Sequence, residues 1–281
     1  MRVAVLGSRG QLGAAVVHHL GSVAEVVAFT RAGLDITDGP AVAAVMAEVR
    51  PNVIVNCAGY NAVDAAEDHP VEALQANAMA VRHLARAAAD RDAVFVHYSS
   101  DFVFDGTSDR PYTEEDQTNP RSVYAASKLL GEWFADDAPR GYVLRVESLF
   151  GRAPLGPAKG SVETIVKVLK SGEAARVFED RTTTPSYVWD VAAATWQLVD
   201  SKAPRGIYHC VNAGQCVWAD IGREAAKMLG VEPRLELVRV ADVKLKAERP
   251  QYCALSFDKL TAAGVHMPTW QDALARYLES G

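Results

Sequence analysis

Along the first half of the chain, short unbroken apolar runs alternate with longer stretches in which apolar side chains recur every three or four positions. The runs predict strands over Arg2–Leu6, Glu25–Phe29, Val53–Val55, Ala93–His97 and Tyr142–Val146. The stretches between them predict helices over Gln11–Leu20, Pro40–Val49, Val71–Ala89 and Ser122–Ala135. In the first of these helices Leu12, Val16, Val17 and Leu20 share one side, and Asp38 is placed to cap the second. Strands alternating with helices imply βαβ units and a parallel sheet, and right-handed crossovers then give a doubly wound, Rossmann-type α/β fold. The strands are apolar on both faces, as a sheet covered on two sides requires.

The rhythm loosens after Phe150. Gly151–Gly160 holds three glycines and two prolines and reads as a loop. Helices are expected over Val162–Lys170, Asp190–Val199 and Trp218–Leu229, with short strands near Val177 and Ile207. Residues 1–150 are therefore expected to form the main domain. Residues 151–281 are expected to form a smaller lobe, interleaved with the last elements of the main sheet.

Composition narrows the classes. Of 281 residues 49% are hydrophobic, enough for a sizeable core. The formal charge of −6 argues against nucleic acid or an anionic membrane surface as a partner. No apolar run approaches a membrane span, and the apolar start runs into a glycine turn rather than a cleavage site. Cys57, Cys210, Cys216 and Cys253 have no zinc-ligand spacing, so reduced thiols of a cytoplasmic protein without a metal are expected. The five tryptophans are read mostly as core residues.

Chemistry enters at the first turn. Gly7, Gly10 and Gly13 stand between a strand and a helix, where residues without Cβ let a pyrophosphate approach the backbone and the helix N-terminus. That makes residues 1–150 a candidate dinucleotide-binding domain. The second strand ends in Phe29-Thr30-Arg31, without the acid that usually bonds the ribose of NAD. Arg31 is suited to a 2′-phosphate, which favours NADPH, with NADH as the alternative; otherwise it is a solvated surface residue. Asp35 and Ile36 sit where the next loop reaches toward an adenine.

A second constellation lies further on. Tyr124 and Lys128 are spaced i,i+4 and share one helix face. A nearby ammonium favours a phenolate, so Lys128 is expected to lower the pKa of Tyr124 and let it exchange a proton with a carbonyl group. The spacing alone is weak. It gains force from Ser99 and Ser100 at a strand end, the sheet edge where ligands bind in such folds; simple turn chemistry is the other reading of those serines. His97 is read as a buried, hydrogen-bonded residue, and Asn77 as a polar position of a helix or of the site edge.

At these residues the sequence resembles the extended short-chain dehydrogenase/reductases, and within them the dTDP-4-dehydrorhamnose reductase family. The resemblance runs through Gly7-Ser8-Arg9-Gly10-Gln11-Leu12-Gly13, Leu34–Asp38, Arg50–Tyr60, Ser99–Gly106, Tyr124–Glu132, Gly206–His209, Arg249-Pro250 and Pro268-Thr269-Trp270. It implies a catalytic triad of Ser100, Tyr124 and Lys128. It implies cofactor contacts from the turn at Gly10-Gln11-Leu12, from Asp35-Ile36, from the stretch Ala58-Gly59-Tyr60-Asn61 and from Tyr98. It places Asp101 toward a sugar, and implies reduction of a 4-keto-6-deoxysugar carried on a nucleoside diphosphate, by a monomer or a homodimer.

Departures from the family pattern fall mostly on the substrate side. Ser148 stands where the family has a tryptophan, Phe102 where it has a tyrosine, and Glu147 and Arg181 are further changes. The reaction type is thus more legible than the sugar. Arg249 is a candidate grip on a diphosphate, with a salt bridge closing the lobe as the alternative. The competing functions are an epimerase or dehydratase that keeps its cofactor, and a nucleotide-binding regulatory subunit resembling that of methionine adenosyltransferase.

Overall fold

The computed structural model describes residues 1–280, which build a six-stranded sheet flanked by helices and a smaller lobe against its carboxyl edge. In chain order the main part contributes β1 (Arg2–Leu6), α1 (Gln11–Leu20), β2 (Glu25–Phe29), α2 (Gly39–Val49), β3 (Val53–Asn56), α3 (Val63–Ala66), α4 (Pro70–Leu74), α5 (Ala80–Ala89), β4 (Val94–Ser100), α6 (Val123–Ala135) and β5 (Gly141–Val146). The rest contributes β6 (Leu149–Phe150), α7 (Ser161–Lys170), β7 (Ala175–Phe178), β8 (Thr182–Thr183), β9 (Ser186–Tyr187), α8 (Val188–Asp200), β10 (Gly206–His209), β11 (Cys216–Val217), α9 (Trp218–Leu229), β12 (Leu235–Val238), α10 (Asp258–Ala262) and α11 (Trp270–Glu279).

The main sheet runs β10-β5-β4-β3-β1-β2, and every pairing is parallel. Winding proceeds one way from β1 to β2 and the other way from β3 through β5. The reversal opens a crevice at the carboxyl ends of β1 and β3, where ligands bind in such sheets. One face is covered by α1 and α8, which bury Leu12, Val16, Val191 and Leu198 against Val3, Val5 and Val96. The other is covered by α2 and α5, which bury Met46 and Leu84 against Leu6, Ile54 and Phe95. Two later pieces, α8 and β10, thus belong to the main unit. The lobe has its own core of Ile165, Val177, Ile221, Trp270 and Leu274.

Three expectations need adjustment. The fourth strand does not stop at His97; it continues to Ser100, because Tyr98, Ser99 and Ser100 pair with Leu144, Arg145 and Val146. Those polar residues carry no apolar signal, so periodicity ends too early. The long helix over Val71–Ala89 is α4 and α5 joined by a π-helical turn at Gln75–Met79. Trp133 is not a core residue but 66% exposed on α6, whereas Trp218 and Trp270 are buried as expected. All four cysteines are free.

One polar contact fixes α6 on the sheet. Arg145 of β5 grips Glu132 of α6 with two parallel bonds, Nε to Oε1 at 2.9 Å and Nη2 to Oε2 at 2.7 Å, with both side chains 2% exposed. Ser99 of β4 donates to the same carboxylate at 2.5 Å, and the guanidinium lies 5.0 Å from the Phe104 ring centroid. Its Nη1 also meets Nε2 of His209 on β10 at 3.4 Å. Burial and Arg145 hold that histidine neutral by pushing its pKa down to about 3. Removing one partner leaves a buried charge uncompensated. Glu132→Ala should therefore cost about 3–5 kcal/mol in urea unfolding, and a loss below about 1 kcal/mol would contradict the role given to this pair.

Candidate active site

The glycine turn lies at the crevice. Gly7 adopts φ +73°, and a Cβ there would come within 2.7 Å of the Ala58 amide nitrogen on the neighbouring β3 loop. A Cβ on Gly13 would stand 2.2 Å from the Gly7 carbonyl oxygen, so this glycine lets α1 press onto the turn. Gly10 is the N-cap of α1 and offers no side chain to the first amides of the helix. Those amides are therefore free to meet an anion. The neighbouring Gln11 is buried, and its amide donates to the carbonyls of Gly151 and Lys159 at 3.0 and 2.8 Å. The loop after β6 is thereby folded over the turn, and Lys159 joins the lining of the cleft. The donors and the bare backbone fit a dinucleotide pyrophosphate.

A cleft of about 470 Å³ runs from this turn into the lobe. Of the expected residues, Gly10, Gln11, Leu12, Ala58, Asn61, Tyr98, Ser100, Asp101, Tyr124, Lys128 and Ser148 line it. Gly7, Gly59, Tyr60, Arg31, Asp35, Ile36 and Arg249 are not part of that lining. Gly7 shapes the turn from behind. Arg31 is a freely exposed side chain 3.6 Å from Asp35, whose carboxylate caps its own turn by accepting from Thr37. Ile36 is buried under the sheet with Leu34 and Met46. Lys159 had no expected role and Trp218 was expected only as one of the core tryptophans; both line the cleft, and the Trp218 Nε1 is buried without a partner.

Helix α6 carries the reactive pair. Ser122 caps it by accepting from the Ala125 amide at 3.2 Å. Tyr124 and Lys128 follow on one face, both buried. Lys128 Nζ donates to the Tyr98 carbonyl at 2.5 Å, and burial pushes its pKa down to about 8. Burial pushes Tyr124 the other way, up to about 12, with Ser100 and Arg249 opposing that rise. The expectation that Lys128 would make the phenol more acidic is not met. The ammonium is turned to the Tyr98 carbonyl, and desolvation of a phenolate outweighs the charges around it. Ser100 donates to Asp101 Oδ1 at 2.8 Å, and the other oxygen of Asp101 is buried without a partner. The Phe102 ring packs edge-on against Tyr124 at 5.6 Å and has the guanidiniums of Arg181 and Arg249 within 5.5 and 5.8 Å of its centre. Arg249 itself is salt-bridged to Asp64 at 2.9 Å.

Asn77 ties the two halves of this arrangement. It sits in the π-helical turn, accepts from the Tyr60 amide at 2.7 Å, and donates to the Tyr60 carbonyl and to Ser127 Oγ, each at 2.9 Å. The irregular turn is what brings one amide within reach of both the β3 loop and α6. His97 is buried and accepts from Asn56 Nδ2 at 3.2 Å; it takes no place in the cleft.

The whole chain, residues 1–281, matches the family described as RmlD substrate binding domain. The chain belongs to this family. It is 35% identical over 279 residues to the dTDP-4-dehydrorhamnose reductase of Streptomyces griseus, covering 96% of this chain and 90% of that protein. It is 35% identical over 280 residues to the dTDP-4-keto-6-deoxy-D-glucose reductase of Streptomyces niveus, covering 97% and 94%. Among solved structures it resembles the dTDP-4-dehydrorhamnose reductase of Bacillus anthracis in complex with NADP. There the TM-score is 0.94 at 29% identity, over 100% of this chain and 99% of that one. The match extends over the glycine turn and the lobe alike.

Asn77→Ala would strip the Tyr60 amide of its acceptor. The expected cost is about 1–3 kcal/mol in denaturant unfolding. Unchanged stability would show that the loop does not depend on this side chain.

Proposed function

We propose that this chain reduces the 4-keto group of a nucleotide-linked 6-deoxysugar, dTDP-4-dehydrorhamnose or a related keto-sugar, with NADPH as the reductant. One observation carries the reading: the bare glycine turn and the set Ser100, Tyr124 and Lys128 line the same cleft. NADPH supplies the hydride when bound. The turn at Gly10-Gln11-Leu12 and the first amides of α1 hold the pyrophosphate, and Arg31, exposed just after β2 and 3.6 Å from Asp35, can exchange that partner for a 2′-phosphate. On this reading residues 1–150 form the cofactor domain, and much of 151–281 closes over the sugar.

The remaining chemistry is proton handling. A buried phenol held near a pKa of 12 is fully protonated at neutral pH, the state needed to give a proton to an oxygen that is gaining charge. The phenolate left behind is favoured by the Ser100 hydroxyl and the Arg249 guanidinium, and solvent restores its proton. Lysine has three N–H donors and only one is committed to Tyr98, so the others remain for a ribose hydroxyl. Ser100 steadies the carbonyl oxygen once its hydroxyl turns from Asp101 to the substrate. Asp101 and Ser148 face the sugar, and Arg249 grips the diphosphate by exchanging Asp64 for a phosphate oxygen.

The test follows nicotinamide absorbance when the protein meets NADPH and dTDP-4-keto-6-deoxyglucose, with and without a 3,5-epimerase. Oxidation only with the epimerase identifies the rhamnose precursor; oxidation without it identifies another deoxysugar. Tyr124→Phe should lower turnover by about 10²-fold or more while NADPH affinity stays within about twofold. Near-wild-type turnover of that variant would remove Tyr124 from the reaction.

A further inference from the structure

Where β5 turns into β6, Glu147 and Ser148 take the place of family residues of other chemistry, and the turn is unusual. Ser148 has φ +46°, in the left-handed region that a residue with a side chain seldom adopts. The turn holds the Ser148 hydroxyl on the cleft wall, 2.9 Å from Thr183 Oγ1 on β8 of the lobe. The same Thr183 hydroxyl is hydrogen-bonded to Glu147 Oε1. A chain of three groups therefore leads from a buried carboxyl to the sugar side of the cleft.

The direction of that chain is set at Glu147. Its Oε2 accepts from the Thr184 amide at 2.7 Å and from the Thr184 hydroxyl at 2.5 Å. Thr184 Oγ1 in turn accepts from the Leu255 amide at 3.4 Å, and its own hydrogen goes to Glu147 Oε2. Oε2 is thus an acceptor, and any proton on the carboxyl sits on Oε1, facing Thr183. A hydroxyl has one hydrogen. If Oε1 carries a proton, Thr183 accepts from it and donates to Ser148, whose hydrogen then points into the cleft. If Glu147 is ionised, Thr183 donates to it, Ser148 donates to Thr183, and only a lone pair faces the cleft.

We infer that Glu147 holds its proton on Oε1 and, through Thr183, makes Ser148 a hydrogen-bond donor to an oxygen of the bound sugar. Glu147 is then a positioning residue for substrate recognition. The inference rests on the keto-sugar reading given above. Its surroundings favour the neutral acid. Glu147 is buried, and an oxygen of Asp101 from the turn after β4 and the Cys253 sulfur lie within 4.8 Å of its own carboxylate oxygen. Cys216 of β11 and Tyr252 also face it. The nearby cation Arg181, ahead of β8, donates to the Pro250 carbonyl and to Cys253 Sγ, not to Glu147. Burial first, and then the Asp101 carboxylate, push Glu147 up to about 8. Arg181 favours ionised Asp101 instead. The donor face of Ser148 is therefore present at neutral pH and lost as pH rises past about 8.

Steady-state kinetics with NADPH and a dTDP-linked 4-keto-6-deoxysugar test this. Ser148→Ala and Thr183→Val should raise KM about five- to tenfold, the worth of one hydrogen bond, with kcat within about twofold. Glu147→Gln keeps a donor for Thr183 and an acceptor for Thr184, so its KM at pH 7 should stay within about twofold of wild type. At pH 9 the wild-type KM should climb toward the Ser148→Ala value while that of Glu147→Gln does not. Lys128 titrates in the same range in both proteins, so the difference between them is the readout. A Glu147→Gln KM as high as that of Ser148→Ala at pH 7, or the same pH trend in wild type and Glu147→Gln, would overturn the inference. Infrared spectra of wild type and Glu147→Gln at pH 7 read the proton without substrate. A protonated-carboxyl band present only in wild type is required, and its absence overturns the inference even if the keto-sugar is reduced. Failure of wild type to oxidise NADPH with any such sugar overturns the functional reading, a result the infrared band does not share.

Discussion

The buried grip of Arg145 on Glu132 is the constraint from which the site geometry follows. It joins the end of β5 to the last turn of α6, takes in Ser99 of β4, and reaches His209 of β10. One turn before Glu132 on the same helix stands Lys128, and one turn before that Tyr124. A helix held by a bidentate pair with its lone pairs filled has little freedom to slide along the sheet. Lys128 therefore meets the Tyr98 carbonyl, and Tyr124 faces the cleft beside Ser100. An ion pair so deeply buried is weak evidence for net stability, because desolvation of both charges offsets their attraction. What it supplies is placement.

Electrostatics in the cleft are governed by burial more than by charge pairing. Tyr124, Asp101 and Glu147 are all pushed toward their neutral forms, and Lys128 toward its own. This suits a reductase. A protonated phenol is a proton donor at neutral pH, and a neutral Glu147 makes Ser148 a donor that can tell one sugar oxygen from a missing one, while Asp101 beside Arg181 stays the anion. Two guanidiniums beside Phe102 supply positive charge next to Tyr124. The lobe contributes through Thr183 and Thr184, which hold the β5–β6 turn, so substrate recognition and lobe attachment share the same hydrogen bonds.

Much of this was legible in the sequence, and the failures have physical causes. The alternation of apolar runs and stripes located the strands and main helices, because a covered parallel sheet needs apolar residues on both faces. The glycine spacing located the tight turn between β1 and α1, because Gly7 and Gly13 have no room for a Cβ. The extension of β4 through Tyr98-Ser99-Ser100 was hidden, since its pairing is carried by backbone bonds and not by apolar side chains. The π-helical turn at Asn77 was equally hidden, as it depends on contacts with Tyr60 and Ser127, 17 and 50 residues away. The rise in the Tyr124 pKa could not be read from its spacing to Lys128, because the lysine is engaged by a carbonyl that periodicity does not show. The chain Glu147–Thr183–Ser148 joins segments that only the fold brings together.

The central claim is that hydride moves in one net direction from NADPH to a sugar carbonyl held against Ser100 and Tyr124. The most direct measurement follows deuterium from NADPH labelled at its transferring carbon into the sugar product by NMR. One deuterium at C4 of the product for each NADPH oxidised is the predicted result. A sugar altered with no net oxidation of NADPH would contradict it and make the chain an epimerase or dehydratase.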